Sequence, residues 1–131
     1  MIVVDSSVWI DYFNGRVTPQ TDWLDSAIGS QYIVVGDLIL TEVLQGFQSD
    51  IDFKTAEKLL LSFPVVEMVG KEKAVKSAET YRLLRKKGVT IRKTIDVMIG
   101  TFCIKNGYSL LHDDRDFDPL QKYLGLKVVN P

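Results

Sequence analysis

The sequence contains very few of the side chains on which many enzymes depend. Its 131 residues include one cysteine, Cys103, and one histidine, His112. A single cysteine excludes an internal disulfide and a cysteine-based zinc site. A single histidine excludes chemistry that needs a histidine pair, and no serine stands in the GxSxG pattern of a nucleophile elbow. Cys103 lies among apolar neighbours, which predicts a role in core packing.

Long apolar runs and an excess of positive charge are also missing. The apolar stretch 32–40 is interrupted by Asp37 and falls short of the roughly 20 residues of a membrane span. The opening residues 1–7 lack the basic region of a signal peptide, so we expect a soluble, cytoplasmic protein. The net charge is −1, whereas nucleic-acid binders often carry a basic surface. An anionic substrate would therefore bind locally or through metal cations.

The patterning that is present predicts an α/β fold. A hydrophobic content of 46% over 131 residues suits one folded domain, 1–131. Short apolar runs alternate with segments of helical spacing, which indicates a parallel sheet covered on both faces. We predict strands at 1–5, 32–36, 64–69, 108–112 and 127–130, and helices at 6–14, 18–30, 37–48, 52–63, 71–88, 94–107 and 118–125.

Local signals add detail to the helices. Asp37 and Thr94 are predicted to cap the helices that they begin. In helix 71–88, Ala74, Ala78 and Tyr81 share one stripe that would pack inward. In parallel sheets the ligand site lies beyond the carboxyl ends of the strands, so the residues that follow the strands are the candidates for function.

Carboxylates are abundant at these positions. Asp5 ends the first strand, and it is either functional or a helix cap, a task that Ser6 or Ser7 could perform instead. Glu42 and Asp96 each lie among apolar neighbours, which suggests partial burial. A helix dipole would also favour Asp96 in a first turn. A buried lone carboxylate is costly unless it is paired or binds a metal.

The stretch HDDRDFDPL (112–120) holds four more aspartates. If it is extended, Asp114 and Asp116 face one way while Asp113 and Arg115 face the other. Phe117 would anchor the loop to the core. Asp118 before a proline is explained as a helix N-cap.

Converging half-buried carboxylates cannot all stay ionised unless a cation joins them. Mg²⁺ or Mn²⁺ prefers oxygen ligands, leaves positions open for phosphate oxygens and can activate water. Other acidic sites fit less well. An EF-hand loop starting at Asp114 would need glycine and glutamate where Pro119 and Gly125 stand. A dehalogenase-type site needs a second acidic residue at Ser7, and a receiver needs paired acids near the first strand.

Basic residues precede Asp96 in a cluster: Arg82, Arg85, Lys86, Lys87, Arg92 and Lys93. They form either a solvated helix face or a positive rim that guides a phosphate backbone to the acids. Arg115 could neutralise a neighbouring aspartate or contact a phosphate.

Four blocks of the sequence together resemble the PIN-domain ribonucleases, and most closely the VapC-type toxins of type II toxin–antitoxin pairs. They are IVVDSSVWIDYF (2–13), LTEVLQGF (40–47), IRKTIDVMIGTFC (91–103) and LLHDDRDFDPL (110–120). The resemblance implies an α/β/α sandwich with a mostly parallel sheet. It also implies an Mg²⁺- or Mn²⁺-dependent endoribonuclease. His112 departs from the threonine or serine of many relatives.

The resemblance carries the family's acidic site onto Asp5, Glu42, Asp96 and Asp114, with Asp116 as a fifth member. We expect Asp5, Asp96 and Asp114 to form the metal centre, and Arg92, Lys93 and Arg115 are candidates for RNA contact. The family also implies a homodimer silenced by a VapB-type antitoxin. The rival hypotheses are a catalytically inactive PIN-like binding module, which usually loses acids that are all present here, and a nuclease directed at DNA.

Overall fold

A five-stranded parallel sheet forms the centre of the molecule. The computed structural model describes residues 1–131, and all strand pairs in it are parallel. The strand order is β3-β2-β1-β4-β5. The strands are β1 (Ile2–Val4), β2 (Ile33–Gly36), β3 (Val65–Val66), β4 (Ser109–Leu111) and β5 (Lys127–Val128).

Seven helices cover the sheet. They are α1 (Ser6–Phe13), α2 (Pro19–Ala27), α3 (Asp37–Gln45), α4 (Asp50–Leu60), α5 (Lys71–Lys86), α6 (Thr94–Asn106) and α7 (Asp118–Leu124). The chain crosses from β1 to β2 to β3 in one direction and from β3 to β4 to β5 in the other. Right-handed crossovers therefore put α1–α4 on one face and α5–α7 on the opposite face. The predicted α/β sandwich is confirmed, and its sheet is wholly parallel.

The core fills the space between the sheet and both helical layers. Its largest fully buried side chains include Trp9, Ile39, Leu84, Ile99 and Phe117. Full burial of such a side chain contributes about 1.5–3 kcal/mol. Cys103 is also buried in this core, and burial raises the pKa of its thiol to about 12, so the prediction of a packing role is confirmed.

The buried face of α5 differs from the predicted stripe. Ala74 and Ala78 are exposed, whereas Ser77, Thr80 and Leu84 are buried. The hydroxyl of Ser77 donates to the Lys73 carbonyl at 2.8 Å, and that of Thr80 donates to the Lys76 carbonyl at 3.0 Å. Because these hydroxyls are satisfied within their own helix, they can be buried at little cost.

Two predicted caps are wrong. Gly36 precedes α3, and Asp37 is the first helical residue, where its Oδ1 accepts from the amides of Leu38 at 2.8 Å and Met68 at 3.0 Å. Asp37 thus ties α3 to the end of β3. Lys93 precedes α6, and Thr94 makes no capping bond. Gly107 ends α6 with φ +69°, as its place in the sequence predicts.

Candidate active site

The central strands bring the amino-terminal and carboxy-terminal parts of the chain together. Val4 of β1 pairs with Leu111 of β4, and the amide of Asp5 donates to the Leu111 carbonyl at 2.9 Å. Asp5 and the loop that begins at His112 therefore leave the same edge of the sheet, at the point where the strand order reverses. Ligands of parallel α/β proteins bind at such switch points.

Three aspartates converge beside this edge. One carboxylate oxygen from each of Asp96, Asp114 and Asp116 lies within 4.8 Å of the others. Asp96 comes from the first turn of α6, and the other two come from the loop after β4. The convergence of Asp114 and Asp116 agrees with the pairing proposed from the sequence, although the backbone that produces it differs.

The loop after β4 forms a 3₁₀ turn at Arg115–Phe117, so the prediction of an extended segment is wrong. Asp114 caps this turn, because its Oδ1 accepts from the Asp116 amide at 2.9 Å. Phe117 is fully buried and anchors the loop, as expected. Asp118 begins α7 but makes no capping bond, which contradicts its predicted role as the cap.

Asp96 is a buried carboxylate with a raised pKa. It is only 4% exposed, and its Oδ2 has no hydrogen-bond partner. Burial and, after it, the neighbouring charges of Asp5 and Asp114 raise the pKa of Asp96 to about 7, against a smaller lowering by Lys93. The metal-free chain therefore holds this carboxyl partly protonated at neutral pH.

Asp5 is both a helix cap and a member of the acidic group. Its Oδ2 accepts from the Ser7 amide at 3.1 Å and from the Ser7 hydroxyl at 2.6 Å, which caps α1. Its Oδ1 is buried without a partner. Burial raises the pKa of Asp5, and the Ser7 bonds oppose that rise. One oxygen is thus structural and the other is free for a ligand.

Glu42 reaches the group from α3. The Ser6 hydroxyl donates to its Oε1 at 3.2 Å. Burial raises the pKa of Glu42, and the charge of Asp5 raises it further. All five predicted carboxylates therefore lie in one electrostatic neighbourhood. The tight triad, however, contains Asp116 in place of the Asp5 that we expected beside Asp96 and Asp114.

Two exposed cations stand over the aspartates. Arg92 Nη2 lies 3.6 Å from Asp116 Oδ2, and Lys93 Nζ lies 3.7 Å from Asp114 Oδ2. Arg115 forms no ion pair with either aspartate. One of the two roles suggested for Arg115, the neutralisation of a neighbouring aspartate, is therefore filled by Arg92 and Lys93. Both cations are mostly exposed, which leaves their side chains free to turn toward an anionic ligand.

The model of the PIN domain family matches residues 2–122. The chain belongs to the PIN domain family. A VapC ribonuclease of Mycobacterium bovis, Mb1587, is 26% identical over 99% of this chain and 98% of its own length. Ribonuclease VapC11 of Mycobacterium tuberculosis has the same identity and coverage.

Solved structures share the fold of this PIN domain. VapBC2 of Rickettsia felis, bound to a promoter DNA fragment, aligns with TM-score 0.78 at 15% identity over 100% of this chain and 99% of that one. VapC20 of Mycobacterium tuberculosis, a toxin that cleaves the sarcin–ricin loop, aligns with TM-score 0.71 at 17% identity over the full length of both chains. None of the helices in this PIN domain combines the length and apolar composition that a membrane crossing requires.

The carboxylates of this PIN domain fit a divalent cation. Buried oxygens of Asp5, Asp96 and Asp116 lack hydrogen-bond partners, and such orphaned acceptors are costly unless something binds them. The donor set contains only carboxylates, which suits a hard ion such as Mg²⁺ or Mn²⁺. A bound dication would also favour the ionised form of Asp96.

Two residues hold the loops of the site in place, and the sequence did not predict this role for them. The Ser7 hydroxyl accepts from the Asp113 amide at 3.1 Å and donates to Asp5, so it joins the two strand ends. His112 Nδ1 accepts from the Asp114 amide at 3.2 Å, and its ring lies 5.0 Å from that of Phe117. The DSS sequence after β1 was a usable signal for Ser7, but it suggested only a helix cap.

Proposed function

We propose that this chain is a metal-dependent endoribonuclease toxin of a type II toxin–antitoxin pair. The convergence of Asp96, Asp114 and Asp116 carries the proposal, because three carboxylates at this spacing can hold a divalent cation, which would offset their mutual repulsion. The PIN domain match supports it, as do curated relatives named as VapC ribonucleases that align along the whole chain. Both the family and the acidic cleft favour hydrolysis over a purely structural role.

The carboxylates divide into two roles in this proposal. Asp96, Asp114 and Asp116 would hold an Mg²⁺ or Mn²⁺ ion, since their oxygens converge within 4.8 Å of one another. Asp5 and Glu42 complete the acidic shell; Asp5 offers its unpartnered Oδ1 and Glu42 approaches from α3. The ion would supply activation of water and stabilisation of charge on the phosphate. No histidine base is then required.

Arg92 and Lys93 orient the substrate. In the free protein they lie 3.6–3.7 Å from the aspartates, and a bound dication would take over that neutralisation. Their side chains can then contact the phosphates on either side of the cleaved bond, with the exposed Arg115 as a third contact. An RNA strand in a single-stranded or loop conformation gives the backbone the freedom to enter the cleft.

The partners of the protein follow from its relatives. Several structural neighbours are toxin–antitoxin complexes, including VapBC of Salmonella typhimurium. We therefore infer that a VapB-type antitoxin silences this chain and that the toxin forms a homodimer. Size-exclusion chromatography with light scattering of the toxin alone and with its antitoxin tests both inferences.

RNA cleavage by the purified, antitoxin-free protein tests the activity. We expect cleavage with Mg²⁺ or Mn²⁺, none with EDTA and almost none with Asp96→Asn. Asp113→Asn is the matched control, because Asp113 is an exposed aspartate beside the triad and its loss should leave cleavage unchanged. Intact RNA in every metal-containing reaction, or equal cleavage with EDTA, would refute the proposal. Titration of each metal decides between Mg²⁺ and Mn²⁺.

A further inference from the structure

A second charged region lies away from the carboxylates, where α5, α6 and α7 meet. It is a groove of about 710 Å³, which we call the basic groove. Its walls include Lys76, Arg82, Lys86, Thr101, Lys105 and Leu124. One carboxylate, Glu79, also lines it. Since the whole chain carries a net charge of −1, the positive charge of this groove is a local feature.

The positive charge of the basic groove is available to a ligand. Arg82 and Lys86 form no ion pair with any carboxylate. Lys76 lies 3.6 Å from Glu79, and Lys105 lies 3.9 Å from Glu72. These are exposed surface pairs, and such pairs contribute only about 0–1 kcal/mol. An incoming anion can therefore displace the glutamates at little cost.

An exposed aromatic residue of α7 directly precedes Leu124, which lines the basic groove. Tyr123 is 39% exposed, and the ammonium groups of Lys87 and Lys122 lie 5.5 and 5.1 Å from its ring centroid. A nucleobase can stack on an exposed ring while neighbouring cations contact its backbone, and this combination is typical of single-strand binding. The ring therefore favours a nucleic acid over an acidic peptide as the occupant.

The wall of the basic groove also contains an unsatisfied hydroxyl. Thr101 is 3% exposed, and its Oγ1 has no hydrogen-bond partner. Thr80, on the facing helix, instead donates its hydroxyl to a carbonyl of its own helix. A buried hydroxyl without a partner is unfavourable, and a phosphate oxygen in the groove would become its acceptor only if the Thr101 side chain turned toward the groove.

The basic groove and the acidic site share a helix. Asp96 and Lys105 are nine residues apart on α6, which corresponds to about 14 Å along its axis. Arg82 lines the basic groove and also a neighbouring depression with Thr94 and Met98 at the start of α6. Arg82 thus lies between the groove and the start of α6, the helix that Lys93 immediately precedes.

We propose that the basic groove binds the phosphate backbone of the RNA substrate at nucleotides outside the cleavage centre. This proposal rests on the proposed ribonuclease function and adds a second contact surface to it. The groove then contributes to the affinity for long RNA and does not take part in the chemical step.

A variant with Arg82→Gln and Lys86→Gln tests the proposal. The matched control is Lys54→Gln with Lys58→Gln, which removes two exposed lysines from α4 on the opposite face of the sheet. Binding to a 5′-labelled 15-nucleotide RNA is measured by fluorescence anisotropy at several salt concentrations with EDTA present. Cleavage is measured with the same RNA and with a four-nucleotide RNA in Mg²⁺ or Mn²⁺.

We expect the groove variant to bind the long RNA about 5–20-fold more weakly. Two lost phosphate contacts should lower its salt dependence by about 1.4 in the slope of log affinity against log salt. Cleavage of the short RNA should stay unchanged in both variants. Unchanged long-RNA affinity and slope in the groove variant would overturn the proposal. The proposal would also be overturned if the wild-type protein bound a polyglutamate peptide and the groove variant lost that binding but kept its RNA affinity. The occupant of the groove would then be an acidic protein.

The binding arm also separates this proposal from the proposed function. If the wild-type protein cleaves no RNA but the groove variant alone loses affinity and salt slope, the ribonuclease proposal fails and the groove proposal stands. If cleavage occurs and both variants match the wild type on long RNA, the groove proposal fails alone.

Discussion

The acidic site and the basic groove are both concentrations of like charge, yet they are built in opposite ways. The acidic site gathers carboxylates from loops and helix ends at the sheet edge and buries several of their oxygens without partners. The basic groove displays lysine and arginine side chains on helix surfaces where water reaches them. Helix α6 contributes to both, with Asp96 in its first turn and Lys105 in its last.

The difference between the two regions is one of solvation. Like charges in water are screened and can separate by changing rotamers, so the basic groove costs the fold little. The carboxylates of the acidic site can do neither. Desolvation raises the pKa values of Asp5, Glu42 and Asp96, and repulsion by neighbouring carboxylates adds to the rise at Glu42 and Asp96. The acidic site therefore destabilises the metal-free fold, whereas the basic groove should be nearly neutral. Substitutions in the acidic site should therefore lower activity while they raise stability. Substitutions in the basic groove should lower RNA affinity with little change in stability.

The largest effect is expected for Asp96→Asn. It should reduce RNA cleavage by on the order of 100-fold or more, because it would remove a ligand charge from the proposed metal centre. At pH 8 without metal it should also raise the free energy of unfolding by about 1–2 kcal/mol, because it removes a buried charge. Cleavage assays and denaturant titrations in EDTA measure the two effects. A decrease in the free energy of unfolding would mean that the Asp96 carboxylate stabilises the fold. The acidic site would then not be destabilising in the way that distinguishes it from the basic groove.

The pH dependence of stability should follow the same carboxylate. The pKa of Asp96 rises from an ordinary 3.8 to about 7 in the fold, so the folded chain keeps a proton that the unfolded chain has released. Unfolding then releases a proton, and higher pH favours it. Metal-free stability should fall as the pH rises from about 4 to about 7, with Asp5 and Glu42 acting in the same direction.

Thermal denaturation in EDTA between pH 4 and pH 8 measures this dependence. Asp96→Asn should flatten it, and saturating Mg²⁺ or Mn²⁺ should raise the melting temperature more at pH 8 than at pH 5, because the ion binds the ionised carboxylates. A metal-free protein whose stability rises steadily over this range would contradict the electrostatic account of the site.

A smaller effect is expected for Ser7→Ala. Its hydroxyl donates to Asp5 and accepts from the Asp113 amide, so the variant loses two hydrogen bonds at the junction of the strand ends. We expect a loss of about 1–2 kcal/mol in unfolding free energy and a decrease of about tenfold in kcat, because the loop that carries Asp114 loses a support. Ser6→Ala is the control, since the Ser6 hydroxyl bonds to Glu42 and does not join the two strand ends. Equal effects of both variants on kcat would argue against the bridging role.

The smallest effect on stability is expected in the basic groove. Replacing Arg82 and Lys86 with glutamine should change the free energy of unfolding by less than about 0.5 kcal/mol, because both side chains are exposed and unpaired. Urea denaturation at low and high salt measures it. A stabilisation that disappears at high salt would indicate that the lysines and arginines repel one another in the fold, as the carboxylates do.

Most of the fold could be predicted because local patterns agree with the tertiary structure. The alternation of apolar strands and amphipathic helices fixes the order of elements, and Gly107 and Pro19 stand where α6 ends and α2 begins. The errors occur where a polar side chain bonds to something that the sequence does not reveal. Asp37 reaches the amide of Met68, which is 31 residues away, and Ser77 is buried because it bonds within its own helix.

The acidic site was predictable in its membership but not in its geometry. Strand ends and apolar neighbours identify Asp5, Glu42, Asp96, Asp114 and Asp116, which remain predicted site residues. Asp116, and not Asp5, groups closely with Asp96 and Asp114, and this depends on the 3₁₀ turn that Asp114 caps. That turn is closed by the Phe117 amide donating to the Asp114 carbonyl at 3.2 Å and by the side-chain bond of 2.9 Å, and an alternation rule for extended chains cannot anticipate it.

The hydrogen bond between Ser7 and Asp113 joins residues that are 106 positions apart. A ribosome extends the chain from its amino terminus at about 5–20 residues per second. Asp114 and Asp116 are therefore synthesised roughly 5–25 seconds after Asp5. Until they emerge, the nascent chain has no complete set of carboxylates. The proposed nuclease site therefore cannot assemble before Asp114 and Asp116 have been synthesised, whatever part of the domain folds earlier.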